Sequence, residues 1–313
     1  MFNVHSTTNM KNRSASLFIA AAPVITVSFY QKITKLKRLL LFLAVCGIAG
    51  SASAAVPVTA GLQLHLQADS LGLSDGATVS SWADLAGGDN NAINTGGTPT
   101  YVANGLNGHA YVSIKGSLSA DGYSWTGNTN DYFNLQNTVV GVQTIAMMVR
   151  RTSNNYYGTS GGQGIPMFGG TSAGSWVSAP WAGDNQYGTA FCGNNADPAV
   201  QYGNVYINGG SGSQASYTGV LDQFQLLYFT IQQGWGVNLT MDQIATDSQW
   251  NQYVYGMDVA EMLVYDTALS QSDMTAVGTY LTDRYFVVPE PTGASLVGLG
   301  VAAFFAMRRK LQK

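Results

Sequence analysis

Apolar and polar residues alternate with a period of two at Leu62-Gln63-Leu64-His65-Leu66 and again at Ala110-Tyr111-Val112-Ser113-Ile114, the pattern of strands that bury one face. Residues 139–149 are almost continuously apolar until Arg150-Arg151 closes them, which predicts a longer, central strand. Further strands are predicted at 165–168, 187–191, 205–207, 224–231 and 253–265. Gly-Gly, Asn-Gly and Asp-Gly pairs separate them, and these turn easily because Gly and Asn tolerate positive φ. Helical periodicity stands out in one place. Ser270-Gln271-Ser272-Asp273 sets an acidic residue three positions after a hydroxyl cap, and Met274, Val277 and Leu281 then share a face up to Arg284. This helix is expected to pack against a sandwich edge and close the domain. The pattern as a whole predicts an all-β fold of two packed antiparallel sheets.

Two other apolar runs have a different character. Residues 293–307 are uncharged and mostly apolar, preceded by Val288-Pro289-Glu290-Pro291-Thr292 and followed by Arg308-Arg309-Lys310. Fifteen residues fall short of the roughly 20 that span a bilayer upright. The Arg and Lys stems can reach the headgroups, and Thr292 and Ser295 can sit near the opposite interface. The basic triplet favours the cytoplasmic side, so the segment reads as a terminal membrane helix with the body of the chain outside. A buried helix of a soluble domain would instead have to bury Gly298 and Gly300 within an apolar ring while ending in three adjacent cations. Near the start, Lys32, Lys35, Lys37 and Arg38 precede the apolar run 39–48, and Ala52-Ser53-Ala54 follows. That order is a secretory signal peptide, with signal peptidase cleavage expected between Ala54 and Ala55. Residues 1–31 hold a second apolar patch at 17–27, interrupted by Pro23; they read as an over-long leader or a start codon placed too early, since Pro23 and the short length weaken a membrane helix there.

The expected organisation is therefore a leader at 1–54 with its signal core at 32–54, one domain at 55–287, and a tail at 288–313. Within 55–287, sixteen Asp and Glu face only Lys115, Arg150, Arg151 and Arg284, a formal charge of −12 that the whole-chain value of −3 conceals. Such a balance argues against nucleic acid as a partner and suits solubility outside the cell or the presence of divalent cations. Cys192 is the single cysteine in that span, so an intramolecular disulfide is impossible and packing must hold the domain.

The tail resembles the PEP-CTERM sorting signal of Gram-negative bacteria, carried by Pro289-Glu290-Pro291, the apolar run, and Arg308, Arg309 and Lys310. The resemblance implies recognition by an exosortase, an integral membrane protease, a transient inner-membrane anchor, and delivery to the envelope or extracellular matrix of a polysaccharide-producing cell. The body resembles the LamG-like, concanavalin A-like jelly-roll domains of secreted bacterial proteins. Gly61-Leu62, Ala68-Asp69, Val79-Ser80-Ser81-Trp82-Ala83-Asp84, Asn104-Gly105-Leu106-Asn107-Gly108, the stretch from Gly256 to Tyr265, and Tyr280-Leu281-Thr282-Asp283-Arg284-Tyr285 occur in its order. Residues 150–250 match less distinctly and suggest inserted loops. Many such domains bind calcium or carbohydrate.

Catalysis needs a constellation, and the first candidate is Asp258 with Glu261. Retaining glycosidases place two carboxylates about 5 Å apart, and related-fold glucanases carry them on a Glu-x-Asp-x-x-Glu strand. Here Gly256 stands at the first Glu position, and residues three apart on a regular strand face opposite sides. The motif fails, and Glu261 is expected to bond neighbouring backbone or cap a turn. His65 lies between leucines and His109 follows Gly108; both read as ordinary surface or edge residues, without metal-ligand spacing. Gly161-Gly162-Gln163-Gly164 lacks the lysine and helix of a phosphate loop.

Binding is the better reading. Trp125, Trp176, Trp181 and Tyr187, with Tyr156 and Tyr157 as weaker candidates, lie in Gly/Asn-rich stretches. There a ring can stack on a sugar while Asn and Asp supply hydrogen bonds, although sandwiches also bury such rings as core and loop plugs. Asp121, Asn128, Asn130 and Asp131 offer hard oxygens for calcium in one loop, and Asp184, Asn194, Asn195 and Asp197 in another, without EF-hand spacing. The expected function is that of an exported, non-catalytic surface or matrix protein that binds glycan or serves a structural role. The alternative is a glycan-active hydrolase of jelly-roll fold.

Overall fold

Strand β1 (Leu62–Gln67) and a 3₁₀ turn, Ala68–Leu71, open the domain. They belong to a computed structural model that describes residues 55–117, 127, 130–152, 156–157, 163–164, 167–169, 203–208, 210–213, 222–230, 239–246 and 254–287. The strands that follow are β2 (Ser81–Trp82), β3 (Ala92–Asn94), β4 (Thr100–Leu106), β5 (His109–Ile114), β6 (Phe133–Val140), β7 (Thr144–Arg151), β8 (Tyr156–Tyr157) and β9 (Gln163–Gly164). After them come β10 (Phe168–Gly169), β11 (Asn204–Ile207), β12 (Gly210–Ser213), β13 (Phe224–Thr230), β14 (Thr240–Ile244), β15 (Met257–Tyr265) and the helix α1 (Gln271–Tyr285). Ala54–Val288 forms one compact unit.

Among the described residues the large sheet runs β12-β11-β13-β7-β15-β5-β4, and the small one β10-β14-β6-β3-β2. All of their pairings are antiparallel. β15 is the axis of the large sheet. β7 covers its whole length on one side, while β5 covers Met257 to Val259 and β1 covers Glu261 to Tyr265 on the other. Asn107 and Gly108 adopt φ of 49° and 90° between paired Leu106 and His109. Two positive φ values in a two-residue loop match the twist of the flanking strands, the reason Asn-Gly suits a hairpin.

Leu64, Leu66, Trp82, Phe133, Ile145, Met147, Met241 and Met262 are buried together in the principal core. A second cluster lies on the opposite face of the large sheet, where Ala146, Met148, Ala260, Leu263 and Tyr265 meet Val277, Leu281 and Tyr285 of α1. The helix thus lies on a sheet face; the sequence pattern had placed it at an edge. The reason is that the outer-facing residues of β7, β13 and β15 are themselves apolar and need a cover. Its start follows expectation: Ser270 Oγ accepts the Asp273 N–H at 3.2 Å and donates to Asp273 Oδ2 at 2.7 Å.

The apolar run 139–149 is two strands in place of one. β6 ends in the small sheet at Val140, which is 57% exposed, and β7 begins in the large sheet at Thr144. Apolar continuity cannot distinguish one buried strand from a crossing between two sheets that share a core. β7 is central as expected, flanked by β13 and β15. The predicted strands at 205–207, 224–231 and 253–265 correspond to β11, β13 and β15, with β15 starting later, at Met257; 187–191 lies outside the described residues. No helix among the described residues is long and apolar enough to cross a membrane, and 293–307 are not among them.

Candidate functional site

Between Val259 and Glu261 the pairing of β15 with β7 slips by one residue. A bulge of this kind places two consecutive residues toward one face and restores alternation afterwards. Ala260 and Glu261 therefore both point to the sheet face that α1 covers, and by alternation from Ala260 so does Asp258, which pairs in register with Arg150. The expectation that Asp258 and Glu261 face opposite sides is corrected: they share a face. Both are shut away, at 2% and 0% exposure.

Glu261 bonds side chains, where neighbouring backbone or a turn cap was expected. Its Oε1 lies 2.7 Å from His65 Nε2 and accepts the Tyr280 hydroxyl at 2.7 Å. Its Oε2 accepts the Tyr285 hydroxyl at 2.8 Å and Gln67 Nε2 at 3.2 Å, with Arg284 Nε 3.6 Å away. Asp69, on the 3₁₀ turn, accepts Arg284 Nη2 at 2.7 Å and the Ala110 N–H at 2.7 Å, and lies 2.7 Å from His109 Nδ1. His65 lies on β1, which pairs only with β15 among the described strands, yet it is 7% exposed, a buried partner in place of a surface residue; His109 is the first residue of β5 and bonds Asp69. The network fastens α1 to β1, β5 and β15.

Burial raises the pKa of Asp69, but the bonds from His109, Ala110 and Arg284 outweigh it and hold the carboxyl at about 2. At Glu261 burial is likewise outweighed, by His65 and the two tyrosines, and its pKa is lowered. Both groups therefore bind fewer protons folded than unfolded, so their stabilisation is present above the unfolded value and lost as pH falls through the folded one. Asp258 has the opposite sign. Burial raises its pKa despite Ser113 and Arg150, so its contribution favours the fold at low pH and is lost as pH rises through its folded value. Asp69→Asn is expected to flatten the fall in urea midpoint between pH 3.8 and about 2; an unchanged profile would remove Asp69 from the acid response.

Beside this network lies a groove of about 690 Å³. One wall is the outer face of β13 and β11, where Phe224, Leu226 and Tyr228 alternate and Tyr206 pairs directly with Tyr228. The other wall is a stripe of α1: Gln271, Met274, Thr275, Gly278, Thr279, Thr282 and Asp283, with Phe286 beyond the helix end. The stripe recurs every three or four residues beside the buried stripe of Val277, Leu281 and Tyr285. Gly278 marks the close approach. A Cβ there would meet Tyr228 Oη at 3.0 Å, and that hydroxyl donates to the Met274 carbonyl at 2.8 Å. A mid-helix glycine costs about 1 kcal/mol against alanine; here its bare Cα admits the tyrosine that closes the groove floor.

Of the residues singled out from the sequence, Trp125, Trp176, Trp181, Tyr187, Asp121, Asp184, Asp197, Asn128, Asn194 and Asn195 lie outside the described residues, as do Ala54, the proline motif and the basic triplet. Tyr156 and Tyr157 form β8, paired with β9. Asp131 is 1% exposed and its Oδ1 accepts the Thr98 N–H at 2.6 Å. No group of three His, Cys, Asp or Glu able to hold a metal occurs among the described residues. The groove residues escaped the sequence reading. A signal was present in the polar stripe Gln271, Thr275, Thr279 and Thr282, but its facing aromatics come from strands more than 40 residues earlier.

No family model and no curated protein sequence matches the chain. Among solved structures, Trypanosoma rangeli sialidase in complex with sialic acid superposes with a TM-score of 0.24 at 13% identity, covering 82% of this chain and 39% of the sialidase. A mutant of that sialidase displaying trans-sialidase activity gives 0.29 at 15% identity, with the same coverage. The chain spans about two fifths of the length of these proteins, and at such scores the likeness bears on neither fold nor chemistry.

Proposed function

We propose that this chain is an exported, non-catalytic protein of the cell envelope or extracellular matrix, with a LamG-like jelly-roll domain that binds glycan. The observation that carries the binding reading is the groove. A sugar offers C–H faces and hydroxyls together, and the groove sets Tyr206 and Phe224 of the sheet wall against Thr279, Thr282 and Gln271 of the helix wall, with Phe286 at the helix end. Its volume is within the range of about 300 to 1,000 Å³ usual for small-molecule sites. The jelly-roll assignment is supported by two antiparallel sheets around one core. Export and sorting through an exosortase-type tail are supported by the order of charge, apolar run and small residues at each end.

A non-catalytic role is supported by the state of the two carboxylates that share a face. Asp258 is occupied by Arg150 at 2.7 Å and Glu261 by four side chains. Glycoside hydrolysis needs one carboxyl free to protonate the leaving group and another to attack or activate water, and neither group is accessible.

The test is calorimetric titration of the full chain, in a detergent without a sugar headgroup, with oligosaccharides from exopolysaccharides and cell walls. Tyr206→Ala is expected to weaken binding about tenfold, equivalent to about 1.4 kcal/mol, while the circular dichroism stays unchanged. Absence of binding to every glycan, with and without calcium, would leave a purely structural role.

A further inference from the structure

The groove walls carry one formal charge between them. Among the described residues that line it, none is Lys, Arg or His, and the single Asp or Glu is Asp283, exposed on the last turn of α1. The surrounding domain carries a formal charge of −12 over 55–287. Arg150, the nearest base in the sheet, is turned to other work: its guanidinium carbon stacks 4.8 Å from the Phe224 ring centroid and 5.1 Å from that of Tyr111, and its Nε bonds Asp258. Arg284 is bound to Asp69. Arg150 and Arg284 are thus both bonded to carboxylates, and the formal charge on the described lining is that of Asp283.

We infer that the groove accepts an uncharged saccharide segment and rejects uronate-bearing or sulfated glycans, with Asp283 as the residue that sets this preference. The inference rests on the glycan reading above and narrows it. Uncharged hydroxyls can exchange bonds with Thr279, Thr282 and Gln271 at no Coulombic cost, and the C–H face of a pyranose covers Tyr206. A carboxylate or sulfate in the same place would lose its hydration to hydroxyls and amides and face Asp283 without a compensating cation. From Gln271 to Asp283 the helix wall extends about 18 Å at 1.5 Å per residue, so the ligand is a short run of sugars and not a single ring. Such a preference suits a protein that is itself strongly acidic, since an acidic matrix polymer would repel the whole domain within a Debye length of about 8 Å.

The experiment uses the full chain in a sugar-free detergent and two probe sets of matched length, N-acetylated chito-oligosaccharides and gluco-oligosaccharides as uncharged probes and oligogalacturonates as acidic ones. At least one uncharged probe is expected to bind with an affinity that changes less than twofold between low and physiological salt, and oligogalacturonates are expected to bind at least tenfold more weakly. Asp283→Lys is expected to raise the ratio of acidic to uncharged affinity at least tenfold. Thr279→Trp, a bulky ring at an exposed helix position that fills the groove, is expected to abolish binding of the uncharged probe. Oligogalacturonates binding the unaltered chain as tightly as uncharged probes, with that binding lost in Thr279→Trp, would overturn the charge preference and leave the groove as a glycan site. Binding that survives Thr279→Trp, or no binding by either set, would overturn the groove as the glycan site and this inference with it.

Discussion

Glu261→Ala is expected to destabilise the domain by about 3 to 5 kcal/mol, the range for breaking a buried ionic network from one side. The carboxylate is fully buried and serves His65, Gln67, Tyr280 and Tyr285. Its removal leaves two tyrosine hydroxyls and an imidazole without their acceptor in a site closed to water, and each buried orphan costs about 1 to 3 kcal/mol. The loss also removes a carboxylate 3.6 Å from Arg284, which is bonded to Asp69 as well. Glu261→Gln retains the shape and one acceptor oxygen, so it is expected to cost less than half as much. Urea unfolding followed by fluorescence measures both. Equal costs for the two variants would mean that the carboxylate's charge and its full set of accepted bonds carry the effect and that the shape of the side chain adds little. A large loss would also bear on binding, because the same network holds the helix that forms one wall of the groove.

Trp82→Ala is the second large effect, about 3 to 5 kcal/mol from lost transfer energy and the cavity left behind. Trp82 is fully buried at the end of the small sheet, edge-on to Phe133 with ring centroids 6.1 Å apart and planes at 65°. It lies on a strand of only two residues, paired to β3 through Ser81 and Trp82, so few backbone bonds hold that edge when the ring is removed. Among the described residues its indole N–H has no hydrogen-bond partner, and therefore Trp82→Phe gives up mainly area and shape and is expected to retain more than half of the lost stability. Against a total of about 5 to 15 kcal/mol for a typical domain, the alanine variant is expected to lose a large share of its stability and to unfold at a markedly lower temperature and urea concentration. A melting temperature within a few degrees of the unaltered protein would show that the Trp82 end of the small sheet is not part of the cooperative core.

Features that depend on near neighbours in the chain were legible in the order of residues alone. Period-two alternation located β1 and β5, the Asn-Gly pairs marked turns between strands, and the Ser270 to Asp273 spacing located the start of α1, because each is decided by backbone sterics or by bonds within four residues. Strands such as β4 and β14 were not legible, since Thr240 and Asp242 are buried polar residues whose place is set by other elements. Nor was the break inside 139–149, where both halves are apolar for the same core. Tertiary structure alone decided the chemistry. One slipped residue at Ala260 moved Glu261 to the face of Asp258, against the expectation from regular alternation, and gave it partners up to 196 residues away in the chain. The groove likewise exists only because α1 covers a sheet face formed by β11 and β13, whose aromatics come from separate parts of the chain. Local periodicity records which side of an element is buried; what it is buried against is a long-range fact, set by how the sheets and the helix close on one another.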